Sequence, residues 1–251
     1  MRLYRVVVSL LAIVGCIFTW SAPANADNYT TFHSDNARDG WSYGANLTPS
    51  YVRAHFYQSQ NIPLDGQVDA QPLHWTGART PFGSYPHTVF VATENNSMYA
   101  FSNTGSPRWH RGPDTLGTAV PSTCNNTQGT VGIQSTPVID LATNILYFVT
   151  YSLDAPNAPN YRLHAVSTTT GNDVMPPVVI SYYGFNPAVQ RQRAALLEAN
   201  GNIYVSFGSF CDFNADQSYG QIFSYAASNL SLQARFVTTN TSCPNSYHLG
   251  S

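Results

Sequence analysis

Lysine is absent from these 251 residues, and all 11 basic side chains are arginine. Schiff-base and lysine-base chemistry are thereby excluded. Charge of either sign is sparse, at 10% of residues with a net value of −2, so no basic face is large enough to hold nucleic acid. Glutamate occurs only at Glu94 and Glu198. No Cys-x-x-Cys is present, which removes the usual zinc spacing, and there is no Gly-x-Ser-x-Gly elbow or phosphate-binding glycine loop. The one long apolar run, Val6–Trp20, has 15 residues and falls short of the ~20 that a membrane span needs. Helical periodicity is weak, with a trace near 191–199.

That run follows Arg2 and Arg5 and precedes Ala24-Asn25-Ala26, the layout of a signal peptide over residues 1–26 with its cleavage pattern. The expected destination is secreted or periplasmic, with no membrane span after cleavage. A minor alternative is lipidation at Cys16, after Ile13-Val14-Gly15. An oxidising compartment favours a disulfide among the remaining Cys124, Cys211 and Cys243. Cys211 is expected to pair with either Cys124 or Cys243, leaving one thiol free or bonded outside the chain.

The body repeats. Phe90-Val91-Ala92-Thr93, Phe148-Val149-Thr150-Tyr151 and Tyr204-Val205-Ser206-Phe207 are each followed by a second apolar run, at Met98, Leu163 and Ile222. Phe90, Phe148 and Tyr204 stand 58 and 56 residues apart. Each unit opens on a nearly uncharged segment: Gln71–Trp75, Thr136–Ile139 and Ala194–Leu197. Outer segments such as Pro107–His110 and Leu232–Phe236 are more polar. Short runs rich in Val, Ile, Tyr and Phe, bounded by Asn, Gly and Pro, predict strands. Four strands per unit predict an all-β chain of antiparallel β-propeller blades, about 70–115, 133–181 and 192–238, with a tail to residue 251. Residues 27–69 form a lead-in whose Asn28–Phe32 segment is expected to contribute a closing strand.

Specific segments carry a family resemblance. Gly66–Leu73, Val89–Phe101, Gly132–Asp140 and Tyr161–Ala165 resemble blades of the PQQ-like (quinoprotein dehydrogenase-like) propeller repeat family. Asn36–Gly40 and Leu47–Pro49 resemble its lead-in. The resemblance implies a tryptophan-docking motif, Ala-x-Asp-x-x-x-Gly-x-x-x-Trp, whose Trp packs between blades. Ala100, Gly105 and Trp109 match with one residue missing, and Ala165 and Gly171 match with Met175 in place of Trp. In the third unit Ser224 takes the Ala position and Leu230 the Gly position. Three units are too few to close a ring, so the expectation is the N-terminal part of a seven- or eight-bladed protein. The third unit's flank, with Leu196, Ile203 and Phe223, is then expected to face water.

A PQQ dehydrogenase would need a calcium-binding Glu and Asn and a catalytic Asp, and usually has adjacent cysteines over the quinone. No Cys-Cys exists, and Glu94-Asn95-Asn96 reads as a hairpin turn with a solvated glutamate. Glycosidase chemistry needs two carboxylates, and spacing alone pairs none, Asp69 and Glu94 included. No catalytic residue is therefore identified, and His74, His87, His110 and His164 read as packed. The functional surface is expected on the face carrying the loops Arg111–Gln134, Ser152–Asn160 and Gly208–Tyr219, with a small molecule or an envelope protein as partner. The function expected is an exported binding propeller needing no cofactor in this chain alone. The alternative is the first part of a dehydrogenase using PQQ with calcium.

Overall fold

A computed structural model describes residues 28–40, 48–58, 60–77, 79–80, 83–84, 87–122, 129–210, 218 and 220–238. The signal segment, Cys16, Cys124, Cys211 and Cys243 lie outside these residues, and so does the expected disulfide.

Strands dominate, and three antiparallel sheets follow one another along the chain. The first contains β1 (Leu73–Trp75), β2 (Thr88–Thr93), β3 (Ser97–Ser102) and β4 (Pro107–Arg111) in sequential order. The second contains β5 (Val138–Asp140), β6 (Ile145–Ala155), β7 (Ala158–Ser167) and β8 (Asp173–Val179). In the third, the opening strand is split into β9 (Gln190–Arg191) and β10 (Leu197–Ala199), both on β11 (Asn202–Ser209), followed by β12 (Gln221–Ala226) and β13 (Leu232–Val237). None of the three sheets closes into a barrel.

Register makes the repeat exact in one respect and corrects it in another. Phe90 faces Ala100, Tyr147 faces Ala165, and Tyr204 faces Ser224. The equivalent anchors are therefore Phe90, Tyr147 and Tyr204, spaced by 57 residues each time. Phe148 is off by one: side chains alternate along a strand, so it points to the opposite face. A register shift follows the residue opposite the anchor in every sheet, after Ala100, Ala165 and Ser224. The corner before the outer strand takes positive φ each time, at Gly105 (76°), Gly171 (73°) and Leu230 (57°). Leu230 tolerates this unfavourable conformation because its side chain is buried between sheets.

Two cores result. Leu73, Phe90, Met98 and Ala100 pack against Ile139, Leu146, Phe148 and Val166 between the first two sheets. Tyr147, Val149, Leu163 and Ala165 pack against Leu196, Ile203, Val205 and Phe223 between the second and third. Leu196, Ile203 and Phe223 are thus fully buried, contrary to the expectation that they face water. Alternation explains it: these side chains point back to the second sheet. Phe236, which pairs with Ile222 in the register, is 65% exposed, and Leu232 and Val237 of the same strand are exposed as well.

The lead-in is also built in. Tyr29 exchanges two backbone hydrogen bonds with His74, and Ile139 donates to Thr30 O, so Asn28–Phe32 lies along the inner strands of the first two sheets. A short helix, Pro49–His55, begins where the Thr48 side chain accepts from Tyr51 N and proline takes the first turn. The expected loop Ser152–Asn160 is instead a projecting hairpin: β6 and β7 stay paired to Ala155 and Ala158, and Asn157 supplies the positive φ of the turn.

Candidate functional site

The Thr93–Ser97 turn is the starting point. Asp65 gathers it, accepting from Thr93 Oγ1 (2.9 Å), Asn95 Nδ2 (2.9 Å) and Ser97 Oγ (2.5 Å). Burial pushes the Asp65 carboxyl up, but these bonds outweigh it and hold it below the usual range. Two glycines let neighbouring chain close over the turn. A Cβ on Gly132 would sit 2.6 Å from Glu94 O and Asn96 N, and one on Gly66 would sit 3.1 Å from Asn95 N. Glu94 N donates to Gln67 O, and Ile133 N to Thr93 O.

Clamped from both sides, Glu94 turns inward and is 2% exposed. The turn is the one expected, but the glutamate is not solvated. Gln134 Nε2 donates to Glu94 Oε1, and Gln134 Oε1 accepts from Arg191 Nε at 2.8 Å. Asp69 lies beside Glu94 and accepts from Gln67 Nε2 at 2.5 Å. Burial first, then the neighbouring Asp69, pushes the Glu94 carboxyl up to about 7. Among the described residues no donor reaches Glu94 Oε2. A protonated Glu94 carboxyl is itself a donor, with Asp69 beside it to accept.

Above this pair opens a pocket of about 390 Å3 lined by Phe32, Arg38, Asp69, Gln134, Thr136, Arg193, Ala194 and Ala195. Asp69, Gln134 and Arg193 each stand four residues before the residue that pairs with their sheet's anchor: Leu73 with Phe90, Val138 with Tyr147, Leu197 with Tyr204. The repeat itself delivers one polar side chain per sheet to the same place. Arg38 comes from the lead-in and donates to Leu196 O at 2.8 Å. Burial lowers its pKa, as it does for Arg191, where Arg193 adds to the effect.

Asp69 and Glu94, 25 positions apart and unpaired by spacing, are brought together by the turn clamp. Gln134 ends one of the loops on the expected functional face, and the Glu94 turn belongs to the same end of the sheets. Arg38, Arg191 and Arg193 were missed, because nothing in their local sequence says which way they point. A second hollow of about 550 Å3 lies by Asn28, Asp35, Asp140 and Glu198. Its aspartates are spent on their own turns: Asp35 caps Ala37 N and Arg38 N, and Asp140 binds Ala142 N and Thr143 Oγ1.

The docking-motif residues lie away from the pocket. Ala100 and Ala165 are fully buried at the register positions described. Trp109 lies against Gly171, where a Cβ would come within 2.7 Å of the indole ring, and its Nε1 donates to Thr168 O at 2.9 Å. Gly105 is covered by Gln60 and Ile62. Among the histidines, His164 is buried, with Nε2 at 3.0 Å from Thr150 Oγ1 and its ring stacked on Phe148. His74 and His87 meet at 3.1 Å, and His110 stacks on Tyr99.

The surroundings of Glu94 do not fit calcium. The ion wants six or more oxygens, whereas Glu94 is faced by an amide NH2 and backed by Arg191, groups that repel a cation. Among the described residues no three His, Cys, Asp or Glu gather as a ligand set.

No family model and no curated protein matches the sequence. Among solved structures, the chain is similar to BamB from Moraxella catarrhalis, at 11% identity over 70% of this chain and 77% of that one, with a TM-score of 0.19. At that score the architecture rests on the chain's own registers and packing.

Proposed function

We propose that the three sheets are blades of a β-propeller in an exported protein, and that the protein is a binding module whose ligand enters the pocket above Asp69 and Glu94. One observation carries the reading: equivalent positions of three successive sheets supply Asp69, Gln134 and Arg193 to one cavity, with Glu94 and Arg191 buried beneath. Propellers gather ligands where inner strands converge, and a concave site with a few convergent polar groups and a perturbed carboxyl is the expected form of such a site. The forward face of the third sheet, with Tyr204, Ile222 and Phe236, is where a further blade would pack.

No reaction is assigned. Glu94 is held by Gln134 and Asp69 rather than aimed at a nucleophile, and the reading includes no PQQ or calcium for this chain alone. A thermal-shift screen with sugars, amino acids, organic acids and short peptides tests the site. At least one class should stabilise the chain, and Gln134→Ala should abolish that stabilisation. Hits that survive both Gln134→Ala and Asp69→Asn would move the binding site elsewhere. Fusing residues 1–40 to a reporter active only outside the cytoplasm tests export; a silent reporter would refute it.

A further inference from the structure

We propose that the mouth pocket receives a carboxylate, carried by an acidic side chain or by a small organic acid, between Arg38 and Arg193. This rests on the pocket being the binding site and adds its chemistry. Three guanidinium groups, Arg38, Arg191 and Arg193, stand at or under the cavity against two carboxyls, Asp69 and Glu94. Arg38 is half-buried: it has lost part of its water and given one hydrogen bond to Leu196 O. Guanidinium groups are matched in shape and charge by carboxylates.

The two acidic groups are occupied with one another. Asp69 is fixed by Gln67 Nε2, and Glu94, 2% exposed, by Gln134 Nε2, with no donor to Glu94 Oε2 among the described residues. With Glu94 protonated, Asp69 is the charged carboxylate among the described residues at the pocket, facing Arg38 and Arg193. Raising the pH removes that proton and places a second negative charge under the ligand. The groups facing Glu94 are Asp69, Gln134 and Arg191, with Arg193 beside Arg191. His33 stands at the pocket's edge, its Nδ1 3.1 Å from Arg38 O and its ring stacked on Phe32, so the Glu94→Gln variant is what separates its contribution from that of Glu94. Carboxylate affinity should therefore fall as pH rises through about 7. The cavity of about 390 Å3 has room for one acidic side chain or a dicarboxylic acid of glutarate's size.

Isothermal titration of the full chain with glutarate and with the peptide acetyl-Ala-Glu-Ala-amide tests the proposal, with glutaramide and the Gln peptide as uncharged controls. Binding by either acid, with its amide about tenfold weaker or worse, is the expected result. The acid should bind several-fold more tightly near pH 6 than near pH 8, and Glu94→Gln should remove that difference. Arg193→Gln, at an exposed position that spares the fold, should weaken the acid about tenfold. Equal binding of acid and amide would overturn the carboxylate while leaving the pocket as the binding site. No heat from either acid, alongside a Gln134-dependent hit of another class in the thermal screen, would overturn this inference alone. An unchanged pH difference in Glu94→Gln would overturn the role of Glu94.

Discussion

The two junctions between sheets solve the same problem with different residues. Between the first and second sheets, Trp109 reaches across from the outer strand, rests on Gly171 and donates to Thr168 O. Arg111 adds an ion pair to Asp173 at 2.7 Å. Between the second and third, the equivalent carbonyl is Ala227 O, and the donor is Tyr147 OH at 2.9 Å, from the second strand rather than the fourth. Met175 stands at the tryptophan position, and the junction is filled by Tyr161, Phe185, Phe207 and Phe223 in edge-to-face contact. A buried carbonyl must find a donor, but the donor is free to come from any side chain that packing brings near. A motif can therefore decay in sequence while its physical task is still performed.

The largest expected effect separates the junctions. Trp109→Ala removes ring packing and strands Thr168 O, and should cost about 3–4 kcal/mol in urea unfolding. Met175→Ala, at the same position of the second sheet, should cost clearly less, because the aromatic cluster and Tyr147 remain. Equal losses would remove the distinction between the junctions.

Acid should strike the first junction first. His164 stacks on Phe148, which faces the first sheet, and burial lowers its pKa to about 3. A histidine held neutral in the fold contributes stability above its unfolded pKa of ~6.5 that is lost as pH falls toward 3. The loss should be on the order of 3 kcal/mol near pH 4. Hydrogen exchange should show β2, β3, β6 and β7 opening before β11 and β12. His164→Gln should flatten this acid dependence, and a variant as acid-sensitive as the parent would disprove the role.

Gly171→Ala tests the corner. Its φ of 73° and the indole 2.7 Å from a new Cβ should together cost about 2 kcal/mol. Combining it with Trp109→Ala should recover part of that loss, since the clash is gone. Simple additivity in the double-mutant cycle would contradict the contact.

The smallest effects compare equivalent tyrosines. Tyr147→Phe leaves Ala227 O without its donor and should cost about 1 kcal/mol. Tyr204→Phe, at the same register position of a sheet with no neighbour on that side among the described residues, should change stability by less than about 0.5 kcal/mol. Similar losses at both sites, measured by thermal or urea melts, would show that Tyr204 already has a partner.

The start and end of the sheet series differ as well. Gln60, Ile62 and Leu64 lie over Val89, Val91 and Phe101 and cover the first sheet's backward face, with Gln60 seated on Gly105. The forward face of the third sheet has no such cover among the described residues, and Phe236 is largely exposed there. The lead-in thus acts as a cap, which its sequence did not announce: residues 60–64 carry no alternation long enough to read as an element.

Much of the fold was legible in the chain because its causes are local. Alternating apolar residues set the strands around Phe90, Tyr147 and Tyr204. Asn96, Asn144, Asn157 and Asn200 supply positive φ at the turns between them, and Gly105 and Gly171 do so at the corners. The pair spacing was readable to within one residue, and the error at Phe148 arose because two aromatics stand side by side in an apolar run. The site was not legible. Asp69, Glu94, Gln134 and Arg191 meet only because Asp65, Gly66 and Gly132 clamp a turn between two distant segments. Whether Glu94 points to water or inward has no local determinant. Composition and short-range pattern decided that this chain is all β and repeats; only packing between repeats decided which carbonyl takes which donor and which carboxyl loses its water, because those energies depend on neighbours far apart in sequence.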